Sequence, residues 1–130
     1  MIQLILGGAR SGKSRLAEQT AASAHLPVSY VATAQAWDDE MQARIEHHQA
    51  QRPAEWPLIE EPLHLAERLQ RIDQAGQIIL VDCLTLWMSN LLMHEDKTLQ
   101  ATECQKLLDV LPGLQSQIIL VSNETGLGVV

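Results

Sequence analysis

Short apolar runs alternate along this chain with stretches rich in helix-forming residues. Ile2-Gln3-Leu4-Ile5-Leu6 is a mostly apolar run stopped by glycines, and it predicts a buried strand over 2–6. Residues 13–24, rich in Ala, Leu, Glu and Gln, predict a helix, and residues 28–33 a second strand. Residues 38–50 hold strong helix formers, with Asp38, Asp39 and Glu40 in the first turn, where the helix dipole favours acids. A connector bearing Pro53, Trp56 and Pro57 follows, and Pro62 fits the first position of a helix over 62–73. Ile78-Ile79-Leu80-Val81 is unbroken and ends at Asp82, as a central parallel strand does. Helices are predicted over 84–94 and 99–111, and a last strand over 118–122. Strands alternating with helices imply an α/β fold, a mostly parallel sheet with helices on both faces. No internal repeat, low-complexity stretch or linker divides the chain, so residues 1–130 read as one domain.

Composition narrows this picture. A chain of 130 residues is long enough for one real core. It has no Phe, one Tyr and three Trp, so aliphatic side chains must fill that core. No apolar run approaches the roughly 18 residues of a membrane span, and Met1-Ile2-Gln3-Leu4 lacks the basic start of a signal peptide; a cytoplasmic protein is expected. Cys83 and Cys104 have no metal-like spacing and read as reduced, mostly buried thiols. The net charge of −7, with no basic stripe, argues against a nucleic-acid partner. The sequence reaches Gly128-Val129-Val130 as another apolar run begins, which suggests a missing C-terminal part.

The chemistry starts at Gly7-Gly8-Ala9-Arg10-Ser11-Gly12-Lys13-Ser14, which matches G-x-x-x-x-G-K-[ST] between a predicted strand and a predicted helix. Glycines there let backbone N–H groups turn towards one anion, and the helix N-terminus adds partial positive charge. Lys13 is placed to reach the β- and γ-phosphates of a nucleoside triphosphate, and the Ser14 hydroxyl to bind Mg²⁺. The sequence therefore predicts a P-loop NTPase-like fold. Such a site needs a carboxylate at the end of another strand, acting on Mg²⁺, and Asp82 supplies one. Glu124 follows the last predicted strand in an equivalent place, where it reads equally well as a site acid or a solvated loop acid.

Arg44-Ile45-Glu46-His47-His48 adds two histidines on a predicted helix. A partly neutral imidazole can carry a phosphoryl or nucleotidyl group. On helical spacing His48 lies at the apolar edge with Met41 and Ile45, and His47 further round, towards Glu40 and Ala43. Periodicity alone favours surface or packing roles for both.

A wider pattern changes that balance. Beyond residues 7–14 it comprises Ala32-Thr33-Ala34-Gln35, Asp38-Asp39-Glu40-Met41 and Arg44-Ile45-x-x-His48. It continues through Arg52-Pro53-x-x-Trp56, Glu60, Asp82 and Asn123-Glu124-x-Gly126-x-Gly128. Together these resemble the bifunctional adenosylcobinamide kinase/adenosylcobinamide-phosphate guanylyltransferase family of cobalamin biosynthesis, over essentially the whole chain. The resemblance implies two steps: phosphorylation of adenosylcobinamide by ATP or GTP, then transfer of GMP from GTP through a GMP–histidine intermediate to give adenosylcobinamide-GDP. It selects His48 as the nucleophile, with His47 the neighbouring alternative. It places nucleotide contacts at residues 7–14 (Gly8, Ala9, Arg10, Ser11 and Gly12 among them), Ala32, Thr33, Ala34, Gln49, Ala50, Gln51, Arg52, Glu60 and Asp82. Mg²⁺, a corrinoid substrate and a homo-oligomer are expected with it. Members continue for several dozen residues past the Asn-Glu-x-Gly-x-Gly segment. Another small-molecule P-loop kinase, or a nucleotide-binding module without turnover, are the competing readings.

Overall fold

An unbroken run such as Ile78-Ile79-Leu80-Val81 has no polar side to turn to water, and it lies in the middle of a five-stranded sheet, buried on both faces. The computed structural model describes residues 2–7, 13–34, 39, 40, 42, 43, 46 and 55–123, with backbone only at Gly7, Lys13, Ser14 and Asn123. Its strands are β1 (Ile2–Gly7), β2 (Val28–Ala32), β3 (Leu58–Glu60), β4 (Ile78–Asp82) and β5 (Gln117–Asn123). Its helices are α1 (Lys13–Ser23), α2 (Leu65–Ile72), α3 (Leu84–Met93) and α4 (Leu99–Val110). The sheet runs β1-β5-β4-β2-β3 and every pair is parallel. This is the α/β architecture that the alternation of runs predicts.

Side chains alternate across a strand, so each strand feeds two cores. On one face α1 lays Ala17 and Ala21 on Ile5, Val28, Tyr30, Ile78, Leu80, Ile119 and Val121. Those alanines are four residues apart on one stripe and fully buried, which lets the helix sit close against the sheet. On the other face Leu65, Ala66 and Leu69 of α2, Trp87 and Leu91 of α3, and Leu107 of α4 cover Val31, Ile79, Val81, Ile118 and Leu120. Burying a side chain such as Leu65 or Leu69 contributes about 1.5–3 kcal/mol relative to leaving it exposed. The cover is incomplete at one edge. Ile2, Leu4 and Leu6 of β1 point to the second face and remain about half exposed (46%, 52% and 45%).

Buried polar groups brace the second layer. Glu103 on α4 is almost wholly buried, and its Oε2 lies 3.4 Å from both His64 Nδ1, before α2, and Lys106 Nζ. Trp87 Nε1 donates to the Leu63 carbonyl at 2.8 Å. Asp73, closing α2, accepts from the backbone N–H groups of Gln115 and Ser116, which tethers the approach to β5.

The structure adds one strand to those expected and corrects one helix start. The segment Leu58-Ile59-Glu60 is a strand, paired with Tyr30-Val31-Ala32. Pro62 does not open a helix; α2 starts at Leu65 with His64 as its cap residue. The reason is Glu61, whose carboxylate accepts from the N–H groups of Leu63 (3.3 Å) and His64 (2.9 Å) and folds that stretch into a turn first. Residues 39, 40, 42, 43 and 46 are helical, and Gln42 bonds Glu46 one turn on at 3.1 Å. At those five positions this agrees with the helix expected there.

Candidate nucleotide site at the carboxyl rim

Because all five strands are parallel, their carboxyl ends form one rim. In register, Gly7 lies opposite Asn123, Asp82 opposite Val121, and Ala32 opposite both Asp82 and Glu60. The rim therefore gathers Gly7, Ala32, Glu60 and Asp82 from four separate strands. Five residues after β1, helix α1 starts at Lys13 with Ser14 in its first turn. A strand terminus followed closely in sequence by a helix N-terminus is the context a phosphate loop requires. β5 separates β1 from β4, so those two strands lie two spacings apart, about 10 Å, with Gly7 two positions further along than Asp82.

The pleat decides which way Asp82 faces. Ile78 and Leu80 pack on the α1 side, so Asp82, two residues further, projects to that same side, towards the helix that carries Lys13 and Ser14. The carboxylate is partly buried, and the Tyr30 hydroxyl donates to its Oδ2 at 2.6 Å. Its backbone is held as well. The Thr33 N–H donates to the Asp82 carbonyl at 3.1 Å, and the Thr33 hydroxyl both donates to the Cys83 carbonyl (2.6 Å) and accepts from the Cys83 N–H (3.0 Å).

Thr33 has no exposed surface, and Asn90 Nδ2 donates to its carbonyl at 2.7 Å and to that of Pro62 at 3.1 Å. Its side chain thus braces the rim from inside. Ala34 is partly buried, and the Ala32 carbonyl accepts from the Glu61 N–H at 2.9 Å. Glu60 is exposed at the rim. Beside it, burial pushes Glu61 up, but the N–H groups of His64 and Leu63 and the Arg68 guanidinium outweigh burial and hold its carboxyl below the usual range. The Cys83 sulfur accepts from Leu86 N–H at 3.5 Å and caps α3; both cysteines are free thiols.

Residues 8–12, His47, His48, Gln49, Ala50, Gln51, Arg52 and Glu124 lie outside the described residues. Tyr30, Asn90 and the inward role of Thr33 were not singled out from the sequence. A lone Tyr on an aliphatic strand was the one available signal. Its partner stands 52 positions away, and the β2–β4 register alone brings them together.

A parallel sheet flanked by helices, with the Gly7–Ser14 sequence motif between β1 and the first turn of α1 and a strand-end carboxylate on the helix side, defines a P-loop NTPase-like α/β protein. A family model described as cobinamide kinase / cobinamide phosphate guanyltransferase matches residues 3–130. The chain is 59% identical over 130 residues to the bifunctional adenosylcobalamin biosynthesis protein CobP of Pseudomonas aeruginosa, covering 100% of this chain and 75% of that one. It is 37% identical over 143 residues to the bifunctional adenosylcobalamin biosynthesis protein CobU of Escherichia coli strain K12, covering 78% of it. The chain belongs to the cobinamide kinase / cobinamide phosphate guanyltransferase family, enzymes of cobalamin biosynthesis. No helix among the described residues is long and apolar enough to cross a membrane.

Proposed function

We propose that the chain phosphorylates adenosylcobinamide with a nucleoside triphosphate and then transfers GMP from GTP to the adenosylcobinamide phosphate through His48. In the second step a neutral His48 nitrogen attacks the α-phosphorus of GTP and the bond to pyrophosphate breaks. A phosphate oxygen of the corrinoid then attacks the same phosphorus, the N–P bond breaks, and adenosylcobinamide-GDP forms. Splitting the transfer in two replaces one difficult displacement by two easier ones.

The observation that carries this reading is the convergence at one rim of the β1 terminus, the α1 N-terminus and the inward-facing Asp82. Nucleotide contacts are assigned to residues 7–14, Ala32, Ala34, Gln49, Ala50, Gln51, Arg52 and Glu60, with Thr33 supporting them from beneath. No group of three or more His, Cys, Asp or Glu side chains among the described residues could hold a metal ion. A single rim carboxylate fits Mg²⁺, which is typically held by one or two carboxylates plus substrate phosphates and water. Asp82, with the Ser14 hydroxyl, would hold it, and when bound it neutralises charge on the transferring phosphates. Arg52 suits those phosphates for the same reason, through its planar fork. A cytoplasmic location and a homo-oligomer, which sedimentation would test, belong to the same reading.

The decisive experiment is covalent labelling. Incubation with α-³²P-GTP and Mg²⁺ should leave label that survives denaturation, is stable in base and labile in acid, and maps to His48. His48→Ala should lose the label and keep most γ-phosphate transfer to adenosylcobinamide, whereas His47→Ala should keep the label. Label on His47, or γ-transfer with no covalent label, would overturn the histidine assignment.

A further inference from the structure

Tyr30 is the chain's one tyrosine, and it is 7% exposed among aliphatic side chains on the α1 face of β2. It pairs in register with Leu80, which makes Asp82 its diagonal neighbour on the same face. The 2.6 Å separation of its hydroxyl from Asp82 Oδ2 is the length of a charge-assisted O–H···O⁻ bond. We propose that Tyr30 is a positioning residue for metal–nucleotide binding: its hydroxyl fixes the rotation of the Asp82 carboxylate that faces α1. The inference rests on the assignment of Asp82 to the metal.

A strand-end carboxylate has its backbone set by the sheet but its own terminal torsion broad. Here the backbone on either side is gripped by Thr33, through the Asp82 carbonyl and both polar groups of the Cys83 backbone. The phenol acts on the carboxylate itself, through its bond to Oδ2. A purely structural phenol that finds an acid only to satisfy its own hydroxyl would act equally whether or not Asp82 carries a charge to a metal. That difference is measurable.

The test is Mn²⁺ binding to the protein saturated with a non-hydrolysable GTP analogue, read from the electron paramagnetic resonance of free Mn²⁺. Wild type, Tyr30→Phe, Asp82→Asn and the double variant are compared, with thermal unfolding of each. Tyr30→Phe should weaken Mn²⁺ binding about tenfold, the low end for loss of a group that orients a ligand. Analogue affinity without metal should hold, and the Mg²⁺ needed for half-maximal turnover should rise while kcat at saturating Mg²⁺ changes little. The double variant should bind Mn²⁺ no more weakly than Asp82→Asn. If Asp82→Asn loses Mn²⁺ and Tyr30→Phe does not, the positioning role is wrong and the metal assignment stands. If Tyr30→Phe adds a further loss on top of Asp82→Asn, Tyr30 acts through packing, and the inference fails again. Unchanged binding in Asp82→Asn would bring down the metal assignment and this inference together.

Discussion

Thr33 and Cys83 grip each other through a reciprocal pair of hydrogen bonds, one hydroxyl serving as donor to the carbonyl at 2.6 Å and acceptor from the N–H at 3.0 Å. The pair joins the residue after β2 to the residue after β4, where Asp82 ends its strand. Thr33→Val keeps the shape and removes the hydroxyl, leaving a buried Cys83 N–H without that partner. Stability should fall by about 1–3 kcal/mol. A urea midpoint within experimental error of wild type would show that the two ends do not depend on this bond.

Leu69 and Leu108 test the packing. Leu69 is fully buried between α2 and the sheet, whereas Leu108 on α4 is 64% exposed. Leu69→Ala should cost about 2–5 kcal/mol through lost transfer energy and a residual cavity. Leu108→Ala should stay within about 0.5 kcal/mol. Equal losses in thermal unfolding would contradict the assignment of the second core.

Asp73 gives the fold a pH dependence of known sign. Burial pushes its carboxyl up, but the bonds from Gln115 and Ser116 outweigh burial and leave it below its usual range. A carboxyl lowered in the folded state contributes stability above its unfolded value, about 3.9, and loses it as pH falls through the folded value. Asp73→Ala should therefore be less stable than wild type near neutrality, with the gap closing below about pH 4. Unfolding midpoints across that range check this, and a gap independent of pH would remove the charge from the explanation.

Lys13 opens α1 at the rim. Lys13→Ala should cut both transfer rates by about 10²–10³, the usual loss on removing one preorganised group from developing charge. Its melting temperature should stay near wild type. The two rates are measured separately, and undiminished phosphoryl and guanylyl transfer would take the phosphate loop out of the mechanism.

Much of this was legible in the sequence, for physical reasons that differ by element. β4 was plain because four consecutive apolar residues have no amphipathic alternative, and the phosphate loop because its glycines and lysine are fixed in spacing. β3 was not, since a strand of three residues is too short to show a period. It is a strand because β2 offers it an edge, with the Tyr30 N–H donating to the Pro57 carbonyl. The start of α2 was misread for a related reason: a proline at a helix start is a weak local preference, and the Glu61 carboxylate overrode it. At the site, Asp82 was visible as a strand terminus, but its orientation was not. That depends on pleat and register, which bring Tyr30 and Thr33 to it from some 50 positions away.

The order of β1 beside β5 has a consequence for synthesis. Ile2 lies opposite Ile118 and Gly7 opposite Asn123, so the first described strand waits for the last described one. At about 5–20 residues per second that delay is on the order of ten seconds. Meanwhile the nascent β1 carries its unpaired backbone and its four apolar side chains in the open, where a neighbouring chain could pair with them. A ribosome-bound chain stalled before residue 117 should remain open to protease around β1, and become resistant once β5 has emerged. The strand that leads into the helix of Lys13 thus gains its hydrogen-bonded partner only after 109 further residues, from 8 to 116, have been made.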